Sequence, residues 1–313
     1  MPRTDLFPGE WQPQMVLMAA LDVGLMAEFL DRPSDPTEVV ERLSLDERAT
    51  LRVIGVLVDA GYLEQRSDGV VVAPDVRALL DPADEAFVGD RLLHVHALLA
   101  RWVQMPDVLR HGGPARFERT PESLQAFIGA MRSGARERAR PLAKRLAALF
   151  PATRTVLDVG GGPGTQALAF QRHDWQVTVL DFPAVIDLMA GELAEAGIAA
   201  IRADATQGIP AQGFDLIHCG NLFHSMAPEE CAAVVKGAAD ALAPAGTLAV
   251  FDFLRGKGLR SSLFAVNMLV ATSGGDVYAE EDYRDWCETA GLHDFAAHEV
   301  AEQAQWLLTA KKR

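Results

Sequence analysis

Between positions 158 and 224 lies a series of residues suited to holding and using a cofactor. It begins with Asp158-Val-Gly160-Gly161-Gly162-Pro-Gly164 and continues with Asp181, Asp204-Ala205, Asn221 and His224. Glycines in G-x-G-x-G spacing permit a turn too tight for side chains, and a helix opening directly behind it offers free N–H groups to a ligand. A dinucleotide fingerprint needs G-x-G-x-x-G, but its third glycine position is Thr165 here, and no Walker lysine is present. The spacing therefore favours a nucleoside ligand without phosphates, of which S-adenosylmethionine is the common one. Asp181 follows the turn by about 20 residues, where a carboxylate can accept hydrogen bonds from both ribose hydroxyls. An acceptor at Asp204-Ala205 is placed for the adenine amino group. His224 is the histidine of the eight that falls beside such a ligand, and a neutral imidazole can take a proton from an acceptor hydroxyl. On position alone it is equally a surface residue or the start of a helix.

The elements that must position these residues read as alternating strands and helices. Apolar runs at 155–157, 176–180, 199–202 and 214–218 predict four strands, with a helix over 165–172 after the glycine turn and another from Pro228. A fifth strand is predicted over 247–251, and late runs at 293–300 and 305–310 predict two more, one of them antiparallel. In open α/β sheets ligands bind at the carboxyl ends of the strands, and four polar residues fall at four successive ends. A single Asp after a strand is more often a helix cap, but a set in register with a glycine turn is better explained by a ligand.

Composition agrees with an enzyme of two cores. The chain has 313 residues, 49% hydrophobic and 23% charged, which is ordinary for globular proteins. A formal charge of -14 repels nucleic acid and anionic membranes. No apolar run approaches 18 residues and no basic-then-apolar leader opens the chain. Three cysteines without C-x-x-C spacing predict a reduced, metal-free, cytoplasmic protein.

The N-terminal region is different in kind. Residues 11–30 carry a broad apolar helical set from Met15 to Leu30, Asp35 and Ser44-Leu-Asp46 start two short helices, and 62–73 reads as a hairpin with a polar centre. Two helices and a wing form a winged-helix pattern. The second helix offers only Arg48 and Arg52 to a nucleic acid in a strongly acidic chain, so DNA binding is the weaker reading.

Taken together, Asp158-Val-Gly-Gly-Gly-Pro-Gly164, Asp181-Phe182-Pro183, Asp204-Ala205, Asn221-Leu-Phe-His224, Leu242-Ala-Pro-Ala-Gly246 and Asn267-Met268 before Gly274-Gly275 resemble the class I S-adenosylmethionine-dependent O-methyltransferases with an N-terminal dimerisation domain. That group holds the caffeate and acetylserotonin enzymes and bacterial tailoring enzymes. The resemblance spans nearly the whole chain. It implies an α/β fold: a Rossmann-like domain over 151–313 with a mostly parallel seven-stranded sheet, a mainly α winged-helix-like dimerisation domain over 1–83, and a helical substrate-pocket region over 84–150. It implies S-adenosylmethionine bound by Asp158, Gly160, Gly162, Gly164, Asp181, Phe182, Asp204, Ala205 and Asn221. Phe127 and Met131 match its F-x-x-x-M segment and Met268 matches a substrate-contacting position; Trp102, Met105, Phe264 and Asn267 are further candidate substrate contacts, each equally well read as core. On spacing alone Phe127 and Met131 are as well read as core partners one helical turn apart.

The resemblance also makes His224 the general base, because it matches the histidine of the family's L-H-D-W motif, and it brings Asp252 beside that ring as its orienting acid. Three departures stand out. Ser225-Met226 replaces the motif's Asp-Trp, and a second acid of the plant enzymes falls on Val277; a lysine near the adenine falls on Gly220. The expectation is a homodimeric, cytoplasmic enzyme that methylates a hydroxyl of a small aromatic or polyketide-like molecule. Carbon or nitrogen methylation on the same scaffold is the alternative within the class, and a winged-helix regulator or cofactor-binding protein the one outside it.

Overall fold

The structure, a computed structural model, describes residues 11–115, 121–300 and 305–313, and the chain divides into two compact units, 1–99 with 122–133 and 100–121 with 134–313. The first unit begins with α1 (Gln12–Asp22) and α2 (Leu25–Glu28), followed by α3 (Pro36–Leu43) and α4 (Glu47–Asp59). The hairpin of β1 (Leu63–Arg66) and β2 (Gly69–Val72), then α5 (Arg77–Leu80) and most of α6 (Gly89–Trp102), complete its N-terminal part. Asp35 accepts the Thr37 N–H at 2.7 Å and Asp46 the Ala49 N–H at 2.8 Å, so both predicted helix starts carry their caps. Ser34 bridges to Val70 and widens the wing. The apolar set over 11–30 does not form one helix: Gly24 at φ +77° separates α1 from α2. Its periodicity nevertheless converges, since Leu17, Leu25, Met26 and Phe29 share one core with Leu57 and Val70.

The second unit contains α7 (Met105–His111) and the larger part of α8 (Pro121–Leu149), whose first turns belong to the other unit. There follow β3 (Thr155–Val159), α9 (Thr165–Gln171), β4 (Gln176–Asp181), α10 (Pro183–Glu195), β5 (Ala199–Arg202), β6 (Phe214–Gly220) and α11 (Pro228–Ala241). The chain ends through β7 (Leu242–Phe253), α12 (Leu259–Ala271), α13 (Glu280–Thr289), β8 (His293–Val300) and β9 (Gln305–Lys311). The seven strands lie in the order β5-β4-β3-β6-β7-β9-β8, and β9 alone runs against the others. β3, β6 and β7 bury nearly every residue on both faces, which explains their unbroken apolar runs. β7 starts earlier than the sequence suggests, at Leu242, with Ala245 at φ +63° and a register shift against β6. The strand order reverses between β3 and β6, so the crevice at their carboxyl ends is the switch point at which open α/β sheets bind ligands.

Candidate active site

Gly160, Gly162 and Gly164 have φ of +66°, +48° and +71°, a region that L side chains rarely occupy. A side chain at Gly160 would also press within 2.8 Å of Leu222. The turn is tied to β4 by the Gly160 N–H, which donates to the Leu180 carbonyl at 2.7 Å. At the end of β4, Asp181 accepts the Gly162 N–H on Oδ2 (2.8 Å) and the Phe182 N–H on Oδ1 (2.7 Å). Each oxygen keeps a lone pair for a ribose hydroxyl. Burial pushes the Asp181 carboxyl above the usual carboxylate range, the two N–H bonds pull it back in part, and the nearby Asp158 charge adds to the rise. Asp204, next to Ala205, accepts the Thr206 N–H and hydroxyl on Oδ1 at 2.9 and 2.7 Å. Phe182 exposes 53% of its surface next to Asp181, a large apolar face without a protein neighbour to cover it.

Asn221 leaves β6 at φ +55°. Its Oδ1 accepts a hydrogen bond from Nε2 of Gln305, a fully buried residue at the start of β9, and Gln305 Oε1 in turn accepts from Arg138 Nη1 at 3.4 Å. Neither partner is visible in the sequence, being 84 and 167 positions away along their respective links.

His224 follows in a 3₁₀ turn, Phe223–Ser225. Its Nδ1–H donates to Asp252 Oδ1 at 2.7 Å, and its backbone N–H reaches Asp252 Oδ2 at 3.3 Å. Asp252 is 1% exposed near the end of β7 and also accepts the Phe253 N–H at 2.8 Å. A carboxylate can only accept, so the ring carries its proton on Nδ1 and presents the Nε2 lone pair. The edge of the ring meets Phe264 of α12 at 4.7 Å and 89°, and Phe264 stacks on Phe253. Behind the turn, the Tyr278 hydroxyl donates to the Met226 carbonyl at 2.5 Å, and Gly275 approaches so closely that a Cβ there would lie 2.3 Å from the His224 carbonyl oxygen. The place of the second acid is held by buried Val277, and the loop instead fixes the turn by packing.

Residues 131–296 match the family described as a methyltransferase domain. The chain belongs to this family. Among curated proteins, this methyltransferase is 25% identical over 279 residues to 3-O-methylredipecamine 2-O-methyltransferase of Carapichea ipecacuanha, covering 78% of this chain and 75% of that protein. It is 30% identical over 156 residues to 3-amino-4-hydroxybenzoate 4-O-methyltransferase of Streptomyces cremeus, covering 46% of this chain and 41% of that protein. Among solved structures, PigF with SAH superposes at a TM-score of 0.80 and 22% identity, covering 96% of each chain. Human N-acetylserotonin methyltransferase in complex with SAM gives 0.76 and 21%, over 96% of this chain and 94% of that one. These likenesses extend the fold to both units. The residues present would fit S-adenosylmethionine: open-φ glycines at the turn and spare lone pairs on Asp181.

The expected substrate residues fall in two groups. In the second unit, Trp102 Nε1–H donates to Asn267 Oδ1 at 3.0 Å, so these two satisfy one another, and Met105 packs with Trp102 against Val108 and Val270. Met268 is buried at 7% exposure. In the first unit, Phe127 is 42% exposed with its ring edge-on to His94, and half-buried Met131 lies one turn further along α8. Phe127 is therefore no core residue.

Proposed function

We propose that this methyltransferase acts on a hydroxyl of a small aromatic or polyketide-like molecule, with His224 as general base. The observation that carries the proposal is the His224–Asp252 pair: a buried carboxylate holds Nδ1, leaving Nε2 as the one ring nitrogen able to take a proton. S-adenosylmethionine would supply the methyl group, its S–CH3 bond breaking to leave the neutral thioether S-adenosylhomocysteine. His224 Nε2 would take the proton of the acceptor hydroxyl as that oxygen gains the methyl group, and Asp252, 2.7 Å from Nδ1, would stabilise the resulting imidazolium. Phe264 and Phe253 exclude water from that side of the ring. Asp181, Asp204, Asn221, Phe182 and the glycine turn would hold the cofactor and fix its orientation. In the second unit Trp102, Asn267 and Met268 are our candidates for contacting the acceptor, and in the first unit Phe127 and Met131 are separate candidates for a substrate contact. Support for the acceptor class comes from the relatives, whose names include a 3-amino-4-hydroxybenzoate 4-O-methyltransferase and a tetracenomycin polyketide 8-O-methyl transferase of Streptomyces glaucescens.

The protein works as a homodimer in the cytoplasm in this account. Trp11, Val23, Leu51, Val56 and Leu79 of the first unit are all more than a third exposed, an apolar surface that a second copy would cover. Cys219, Cys231 and Cys287 are unpaired and buried, and among the described residues no helix is long and apolar enough to cross a membrane. Light scattering at micromolar concentration should give the dimer mass, and a monomer would contradict this. Incubation with S-adenosylmethionine and a panel of phenols, catechols and enols, with the product's new methyl located by NMR, tests the reaction. An O-methyl signal is expected, and a C- or N-methyl product would overturn the hydroxyl assignment.

A further inference from the structure

A second aspartate–histidine pair lies behind the glycine turn and takes no part in the chemistry just described. His218 of β6 and Asp158 of β3 are register partners across the parallel pair at the switch point. His218 Nδ1–H donates to Asp158 Oδ1 at 2.7 Å, and both side chains are 2% exposed. The imidazole packs edge-on against Phe170 of α9 at 5.1 Å. Among the described residues, two of the pair's atoms, Asp158 Oδ2 and His218 Nε2, are buried without a partner. Burying a carboxylate and a ring nitrogen in this way costs stability that an apolar pair would not.

The surroundings of the pair show what it shapes. A Cβ on Gly161, in the turn, would lie 2.9 Å from Asp158 Oδ2, and a Cβ on Gly220, at the end of β6, would lie 2.6 Å from the His218 ring. The glycine turn thus rests on the carboxylate, and the strand end leading to Asn221 rests on the imidazole. His224 and Asp252 are bonded to each other, and neither is bonded to this pair.

We propose that His218 is a positioning residue for the cofactor: by holding Asp158 Oδ1 it sets the carboxylate against Gly161, and so fixes the turn and the β6 end in the form that receives S-adenosylmethionine. Without the Nδ1–H donor, Asp158 has no side-chain partner among the described residues, the carboxylate is no longer held against Gly161, and the turn loses its support. The proposal rests on the cofactor reading of the turn, and the two fail differently. If the wild-type protein does not bind S-adenosylhomocysteine, that reading fails; if it binds but the variants below behave alike, only this inference fails.

The test separates hydrogen bonding from packing. Asparagine at 218 places an amide N–H where Nδ1 stands but removes the ring, whereas phenylalanine keeps the ring and removes the donor. Calorimetry with S-adenosylhomocysteine should show His218→Phe binding about 10–100-fold more weakly, the range for losing a hydrogen bond to a charged group, and His218→Asn within about threefold of wild type. The rate at saturating S-adenosylmethionine should change little in either variant, because the His224–Asp252 pair is untouched. A merely structural role predicts the reverse order, with His218→Phe binding normally and His218→Asn weakened, and that order would overturn the proposal. If His218→Phe does not fold, His218→Asn still decides, since a tenfold or greater loss contradicts it. In the wild-type protein, ¹H–¹⁵N spectra of the histidine rings should show the hydrogen-bonded Nδ1–H of His218, and S-adenosylhomocysteine should shift it. A signal indifferent to the ligand would count against the proposal.

Discussion

Alanine at position 275 puts the geometry of the His224 turn under direct test. A Cβ on Gly275 would stand 2.3 Å from the His224 carbonyl oxygen, 2.6 Å from Thr272 Oγ1 and 3.1 Å from the Ser225 carbonyl carbon, where ordinary contact begins near 3.4 Å. Thr272 cannot simply rotate away without loss, because its hydroxyl accepts the Gly275 N–H at 2.9 Å and donates to the Met268 carbonyl at 2.8 Å. The backbone of the 3₁₀ turn must retreat instead, by about 1 Å. That strain should cost about 1–3 kcal/mol of stability, as overpacking of a tight site does. The catalytic effect is larger in proportion, since a shift of about 1 Å in a positioned group costs on the order of 10²-fold in rate. The glycine turn and Asp181 lie on other elements, so cofactor affinity should hold. Steady-state kinetics on an identified acceptor, calorimetry with S-adenosylhomocysteine and a thermal melt together read the three quantities. A Gly275→Ala protein that melts slightly lower, binds the cofactor normally and retains its full rate would refute the claim that this loop sets the position of His224.

Asp181→Ala should weaken cofactor binding by about 1.5–3 kcal/mol, measured by calorimetry, because it removes an acceptor for the ribose together with the anchor of the Gly162 N–H. In the wild type, burial raises the Asp181 carboxyl above 3.8, so cofactor affinity should begin to fall at a higher pH than for an ordinary aspartate as the solution is acidified. The sign for folding is opposite: the folded apoprotein holds this proton more tightly than the unfolded chain, so the group's contribution to stability decreases as pH rises through its folded pKa, and urea melts across that range would show it. Asp252→Asn should lower the rate by an amount comparable to or smaller than loss of the base itself, since the amide alters the ring tautomer and removes the charge that stabilises imidazolium, while a melt should change little given its similar shape.

Local signals carried much of this structure. Asp35 and Asp46 announce their helices because a cap needs only a residue and its next few neighbours. The G-x-G-x-G turn and Asp181 were legible for the same reason, being bonded across 19 positions in one strand-turn-helix-strand unit. His224 and Asp252 came from the family resemblance, and the structure joins them at 2.7 Å. What stayed hidden depends on strand register and on contacts between distant segments. The His218–Asp158 pair exists because β3 and β6 align those two residues, 60 positions apart, and the Trp102–Asn267 bond spans 165. That Met268 is buried is likewise hidden, since helix periodicity does not say which side of α12 meets the core. Periodicity does not show the break at Gly24 either, because apolar spacing continues across it.

The central claim is that His224 takes the acceptor's proton, and the most direct measurement is the single-turnover rate of His224→Ala with its real acceptor across pH, beside its affinity for S-adenosylhomocysteine. The account predicts cofactor binding close to wild type and a rate lower by roughly 10²–10⁴-fold, the contribution of a positioned base. It also predicts that an acceptor already ionised at the assay pH restores part of the variant's rate. A His224→Ala enzyme that transfers methyl at full rate to a neutral hydroxyl at neutral pH would contradict it.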